Sequence, residues 1–413
     1  MNRPAGGSAP PSTNPSRFGL ESTRYGFARR RGNRCDALEP ERPTDRAVSL
    51  RSHKNSAGMI GSFTYESLPC RVVFGSGTLG TVKAEVRRLG GKRALVLTSS
   101  QQMIQGVSLA DELGSLCAGI FSDATMHTPV EVTERALTVL RTCQADCVIS
   151  LGGGSTIGLG KALALRTGVN QLCIPTTYAG SEMTPILGET RDGRKTTVRS
   201  SAVLPETVIY DVDLTMTLPA GLAATSGINA IAHAAEALYA QEANPVISLM
   251  AEEGIRALAH ALPVIAVTSG DHDARTQALY GAWFCGVCLG TVGMALHHKL
   301  CHVLGGRFDL PHSEMHAIVL PHALAYNAAA APDAAARIAR AVDANNAATG
   351  LFDLGRRLGT KRGLHEIGMP EDGIDRAADL AMVDACWNPR SLERDAIRDL
   401  IARAWAGEPP AVP

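Results

Sequence analysis

A chain of 413 residues, 45% hydrophobic and 19% charged, has room for two domains that each bury a core. Its 40 basic and 40 acidic side chains leave a formal net charge of +0, which excludes the electrostatic footprint of a nucleic-acid or membrane-surface binder, so an anionic ligand must be held locally. Aromatic residues make up only 4% of the chain, so the core must be aliphatic and rich in alanine.

Residues 1–58 are rich in Pro, Gly, Ser, Asn and Arg and carry no sustained apolar period, a composition that cannot offset its own ordering entropy. They are expected to form a disordered leader, or an over-extended start ahead of Met59. The run Arg29-Arg30-Arg31 suggests a transit peptide or an anion-binding arm. Interspersed acids such as Glu21 and Asp36, and the lack of an apolar stretch, count against targeting.

From Phe63 onward, short aliphatic runs alternate with helical segments. The runs 92–98, 146–151, 171–175 and 207–210 read as strands buried on both faces, so residues 59–218 are expected to form an α/β domain with a parallel sheet. The strand ending at Leu151 leads at once into Gly152-Gly153-Gly154-Ser155-Thr156-Ile157-Gly158-Leu159-Gly160-Lys161. Three glycines let backbone N–H groups approach a diphosphate, and Ser155 can cap the helix whose positive end faces it. The run matches neither GxGxxG nor a Walker loop, so the usual Rossmann and ATPase readings weaken. The next strand ends in Pro175-Thr176-Thr177-Tyr178-Ala179-Gly180-Ser181-Glu182-Met183-Thr184, whose hydroxyls suit ribose and phosphate. Two such loops on one sheet edge imply a dinucleotide.

After Pro219 the strand signals stop, and residues 219–413 are expected to be a helical substrate domain, with helices at 223–241, 246–265, 274–303, 332–350, 374–382 and 393–406. The uncharged run Gly281 to Leu296 falls short of the roughly 20 residues that a bilayer needs and reads as a buried core helix. The ten cysteines sit mostly in apolar runs and read as reduced core residues of a cytoplasmic protein, the CxxC of Cys285 and Cys288 included. The densest chemistry is His297-His298-Lys299-Leu300-Cys301-His302, followed by Gly305-Gly306 and His312. Residues four apart share a helix face, which pairs His298 with His302. Gly305-Gly306 is expected to end the helix, so that the short loop to Pro311 can bring His312 back beside the pair. Such a cluster suits either a metal or metal-free handling of protons and anions.

Taken together, these loops, Thr125-Met126-His127-Thr128-Pro129-Val130, Gly227-Ile228-Asn229-Ala230-Ile231-Ala232-His233 and the histidine cluster resemble the iron-containing alcohol dehydrogenase and dehydroquinate synthase-like superfamily, and within it the maleylacetate reductases. The resemblance runs from about Met59 to the C-terminus. It implies a Rossmann-like dinucleotide-binding α/β domain, an all-α C-terminal domain, a homodimer, and reduction of the double bond of maleylacetate to 3-oxoadipate by NADH or NADPH in bacterial breakdown of aromatic compounds. A metal-dependent alcohol or polyol dehydrogenase is the main alternative. A non-catalytic dinucleotide-binding module is the other.

In iron-dependent members an Asp and a His four apart on one helix, with two later histidines, hold the metal. The matching positions here are Asn229, His233, His298 and His312, with His302 as a further histidine near the substrate. The amide replaces the one anionic ligand, so no metal is expected, and the five residues are read as the catalytic set that holds a dicarboxylate and supplies its proton. The resemblance also places Ser99 where NAD-selective relatives have an Asp, and Thr128 and Lys195 near the nicotinamide end. The candidate cofactor residues are therefore Ser99, Thr128, Gly152, Gly153, Gly154, Ser155, Thr156, Thr176, Thr177, Tyr178, Ser181, Thr184 and Lys195.

Overall fold

The computed structural model describes residues 62–191, 194–383 and 386–411, so the expectation for residues 1–58 lies outside the described part. Within it, aliphatic runs become six parallel strands: β1 (Arg71–Gly75), β2 (Ala94–Leu97), β3 (Cys117–Phe121), β4 (Cys147–Gly152), β5 (Asn170–Pro175) and, after a hairpin, β8 (Thr207–Asp211). The hairpin is β6 (Ile186–Arg191) paired antiparallel with β7 (Arg194–Arg199). The sheet order is β1-β8-β5-β4-β2-β3. Helices α1 (Val82–Arg88), α2 (Met103–Leu113), α3 (Val130–Thr142) and α4 (Gly154–Thr167) connect the strands. The chain runs outward from β2 to β3 and then returns to β4, so the sheet reverses direction between β2 and β4. Ligands of open α/β sheets gather at the carboxyl ends of strands at such a reversal.

The four expected strands are the mostly buried ones. β1, β3 and the β6–β7 pair were not expected: β1 and β3 are short apolar runs that stay only partly buried, and β6 and β7 are rich in polar residues.

The second half is helical: α5 (Ala220–Ala237), α6 (Pro245–Val267), α7 (His272–Thr291), α8 (Leu296–Phe308), α9 (His312–Asn327), α10 (Pro332–Ala341), α11 (Ala347–Arg357), α12 (Gly373–Met382) and α13 (Arg394–Ala406). Helix α5 is almost wholly buried and made largely of alanine, which lets neighbouring helices approach closely; a Cβ on Gly227 would lie 2.6 Å from Leu262 of α6. One apolar cluster runs from Cys173, Val208 and Tyr210 of the sheet into α5, α6 and α7, and a second joins α8, α9, α12 and α13.

Three helix expectations are corrected. The helix expected at 274–303 is two helices, α7 and α8, whose axes differ by 92°. The cause is a pair of carboxylates that take the N–H groups at the break. Glu242 accepts from Gly293 N–H at 3.1 Å, and Glu236 accepts from Ala295 and His297 N–H at 2.8 and 2.7 Å. Nor does α8 stop at Gly305-Gly306: it continues to Phe308 and ends at Asp309 in a left-handed conformation, φ 52°. The helix expected at 332–350 also divides, because Asp343, φ 52°, and the Asn346 cap start α11 afresh. Among the described residues no single helix is long and apolar enough to cross a membrane, and nine cysteines are free, with Cys285 and Cys288 in the core.

Candidate active site

The glycine run sits at the carboxyl end of β4, beside the point where the sheet reverses. Gly152 has φ +155°, and a Cβ there would lie 2.5 Å from Thr156 Oγ1 and 2.6 Å from Gln102 Oε1. A Cβ on Gly153 would press on Thr177 at 3.1 Å. Gln102, just after β2, donates to Thr176 Oγ1 at 2.7 Å and so ties the β2 loop to the β5 loop. The expectation that Ser155 caps the helix is corrected: Gly153 is the N-cap, α4 begins at Gly154, and no side chain caps that end. The extended Gly153 admits the chain to the helix earlier than expected, which leaves first-turn N–H groups to an anionic ligand. Gly152→Ala is expected to raise the dissociation constant for NADH at least about tenfold, about 1.4 kcal/mol, in a fluorescence titration. An unchanged constant would show that the close approach at Gly152 is dispensable.

Around this edge, Gly153, Gly154, Ser155, Thr177, Ser181 and Ser99 are partly exposed, whereas Gly152, Thr128, Thr156, Thr176, Tyr178 and Thr184 are buried. Thr128 adopts φ +46°, uncommon for a β-branched residue, and a Cβ on Gly158 would lie 2.5 Å from its hydroxyl, so Thr128 presses on α4. Tyr178 lies in the apolar cluster. Lys195 is on β7 opposite Thr190; its side chain lies outside the described part.

A lysine not singled out from sequence organises the second loop. Lys161 of α4 is fully buried, and its Nζ lies 2.6 to 2.9 Å from the carbonyls of Ser181, Thr184 and Ile186 and from Thr184 Oγ1. Burial pushes its amine down to about 8.

The second set of groups stands on α5, α8 and α9. Asn229 and His233 share a face of α5, both buried, and Asn229 Oδ1 and His233 Nδ1 have no hydrogen-bond partner. The His233 ring lies 5.2 Å from that of His298, whose Nε2 is likewise buried and unpaired. Burial pushes the His233 imidazole well below its ordinary range, with His298 and His312 adding to the effect. His302 lies one turn beyond His298 on α8 but is exposed, and His312 opens α9, also exposed. The His312 ring lies 4.2 Å from that of His316, tilted by 50°, and His316 in turn lies 5.3 Å from His298.

Two more features escaped the sequence reading. His316 is buried and hydrogen bonds His297, Nδ1 to Nε2, at 3.0 Å. Burial is the first cause holding both rings well below their usual range. With Cys301 they form a cluster whose ligand atoms lie within 4.8 Å of one another. Because its two imidazoles already bond each other and burial drives the thiol well up, this is a hydrogen-bonded cluster behind the site. The other feature is Glu236, fully buried on α5, whose Oε2 lies 2.7 Å from His298 Nδ1. It is the lone acid or base, histidine aside, among the 18 residues of α5, and a carboxylate so placed must find partners.

The donor set of the pocket does not fit a divalent iron. It offers a neutral amide and imidazoles, and the nearby carboxylate of Glu236 is occupied by the N-terminus of α8 and by His298 Nδ1. The glycine-lined edge, by contrast, fits a dinucleotide diphosphate.

Comparison with known proteins agrees with this architecture. Residues 69–212 match the family described as iron-containing alcohol dehydrogenase, and residues 223–405 match its C-terminal counterpart. The chain is 55% identical over 348 residues to a maleylacetate reductase of Rhizobium sp. strain MTP-10005, covering 84% of this chain and 99% of that protein. It is 53% identical over 352 residues to one of Burkholderia cepacia, 85% of this chain and all of that protein (100%). The crystal structure of maleylacetate reductase from Agrobacterium tumefaciens superposes with a TM-score of 0.83 at 54% identity, over 85% of this chain and 100% of the other.

Proposed function

The chain belongs to the iron-containing alcohol dehydrogenase family, within its maleylacetate reductases, and on that premise we propose that it reduces the carbon–carbon double bond of maleylacetate to give 3-oxoadipate in bacterial breakdown of aromatic compounds. The observation that carries this reading is Asn229, a buried amide with an unpaired Oδ1, on the α5 face that also bears His233, whose ring lies 5.2 Å from that of His298. Maleylacetate is a dianion, and an amide in this position removes the repulsion that a carboxylate would impose.

Residues Gly152, Gly153, Gly154, Ser155 and Thr156 hold the diphosphate at the start of α4. Thr176, Thr177, Tyr178, Ser181 and Thr184 form or support the adjoining wall, and Thr128 and Lys195 lie toward the nicotinamide end. Bound NADH or NADPH supplies the hydride, to the carbon β to the ketone. Negative charge then develops on the ketone oxygen, where one preorganised donor is worth about 3 kcal/mol. Asn229, His233 and His312 supply such donors or bind the carboxylates. His298, through Nε2, delivers the proton to the carbon beside the ketone; His302, one turn along α8 and exposed, is the alternative donor. The double bond thus gives way to two C–H bonds, one from a hydride and one from a proton.

No metal takes part in this reading. The protein acts as a homodimer in the cytoplasm. Ser99 leaves no carboxylate at the end of β2 to repel a 2′-phosphate, so both coenzymes serve.

The test follows NADH or NADPH absorbance with maleylacetate and with simple alcohols, alongside metal analysis of the purified protein. Turnover of maleylacetate by metal-free protein with both coenzymes is expected. Metal-dependent alcohol oxidation without it would replace this reading with the alcohol dehydrogenase one, and an NADH preference above about a hundredfold, about 2.7 kcal/mol, would contradict the role given to Ser99.

A further inference from the structure

We propose that Glu236 is a positioning residue that fixes His298 as its Nδ1–H tautomer, leaving Nε2 as the one nitrogen of that ring available to substrate. The inference rests on the reading that maleylacetate is reduced in this pocket. Three observations support it.

Among the described residues, each main-chain and hydroxyl group that hydrogen bonds the Glu236 carboxyl is a donor. Oε1 accepts from His297 N–H at 2.7 Å and faces the Tyr239 hydroxyl at 3.5 Å; Oε2 accepts from Ala295 N–H at 2.8 Å and more weakly from His298 N–H at 3.4 Å. Opposite Oε2 at 2.7 Å, His298 Nδ1 must therefore carry a proton.

The ring is also hemmed in. His233 lies 5.2 Å away at an interplanar angle of 31°, His297 at 5.1 Å and 85°, and His316 at 5.3 Å and 72°. Turning the ring over would break the Glu236 bond and repack all three neighbours.

One carboxylate, finally, holds both the backbone and the ring. By accepting the first N–H groups of α8 it sets where the His298 main chain begins, and by accepting Nδ1–H it sets which nitrogen faces away. Nε2 is that nitrogen, buried and without a protein partner. Because Nδ1–H is held, Nε2 is the nitrogen that takes up a proton from water and passes it on to substrate, after which the ring is again the neutral Nδ1–H tautomer.

The decisive measurement is the nitrogen-15 spectrum of histidine-labelled protein, with His298 assigned by the signal lost in His298→Gln. A protonated Nδ1 and unprotonated Nε2 are expected in the neutral ring. Glu236→Gln cannot accept on both sides, so its His298 should shift toward the Nε2–H tautomer. Its kcat should fall by about 100-fold with NADH affinity held within about threefold. Glu236→Asp, still a pure acceptor, should regain part of kcat. An Nε2–H tautomer in the native protein would overturn the proposal, as would a Glu236→Gln kcat within about threefold of the original or an equal loss of NADH binding. If Glu236→Gln does not fold, the native spectrum decides alone. If the native protein does not reduce maleylacetate, the functional reading falls while the spectrum still tests the tautomer.

Discussion

Asn229→Asp is expected to lower kcat/KM for maleylacetate by about 100-fold, or about 2.7 kcal/mol, while the protein gains a divalent metal that survives purification. Asn229 is buried, its Oδ1 has no partner, and His233 stands one turn along the same face of α5. A carboxylate there would meet a dianionic substrate in a site with little water to screen it, and like charges so placed cost several kcal/mol. The same change adds the anionic oxygen that the donor set lacks, so metal affinity and reductase activity should move in opposite directions. Steady-state kinetics and elemental analysis on one preparation read both. Full activity with no retained metal would mean that the charge at position 229 decides neither property.

Lowering the pH from 7 to 5 is expected to destabilise the folded chain, through four buried histidines alone. His233, His297 and His316 are held well below their ordinary range, chiefly by burial, and His322 is pushed down to about 4 by burial and then by Arg403. These rings are neutral when folded, yet each takes up a proton near pH 6.5 once unfolded. Their stabilisation is therefore complete above about pH 6.5 and is lost as the pH falls toward the folded values, at up to about 1.4 kcal/mol per ring per pH unit. Against a typical total of about 5–15 kcal/mol, this should lower Tm by about 10–20 °C, read by circular dichroism or differential scanning fluorimetry. His322→Asn, which touches no proposed substrate contact, should flatten the slope by about one proton. A Tm that stays constant from pH 7 to 5 would show that these rings are not held neutral.

The legible parts of the molecule share one property: each is encoded in a short, continuous stretch. β2, β4, β5 and β8 were legible because strands covered on both faces are largely apolar, and the glycine-lined edge because three glycines follow such a strand. His298 and His302 were placed on one face by the helical period, and Asn229 and His233 were found through the resemblance. The break between α7 and α8 was not legible. It depends on Glu236 and Glu242, about 50 to 60 residues earlier in the chain, reaching the N–H groups of residues 293–297.

Sequence alone therefore determined the class of fold, the glycine-lined edge at the end of β4 and the crowding of histidines between residues 297 and 312, because glycine runs, apolar runs and helix periodicity act within a few residues of themselves. Only the tertiary structure decided that His298 is buried while His302, on the same helix, is exposed. It alone brought His316 against His312 and His297, and it alone turned a solitary glutamate in an alanine helix into the partner of His298. The physical reason is that burial and hydrogen-bond pairing depend on which helix packs against which, and no residue carries that information in its own neighbourhood.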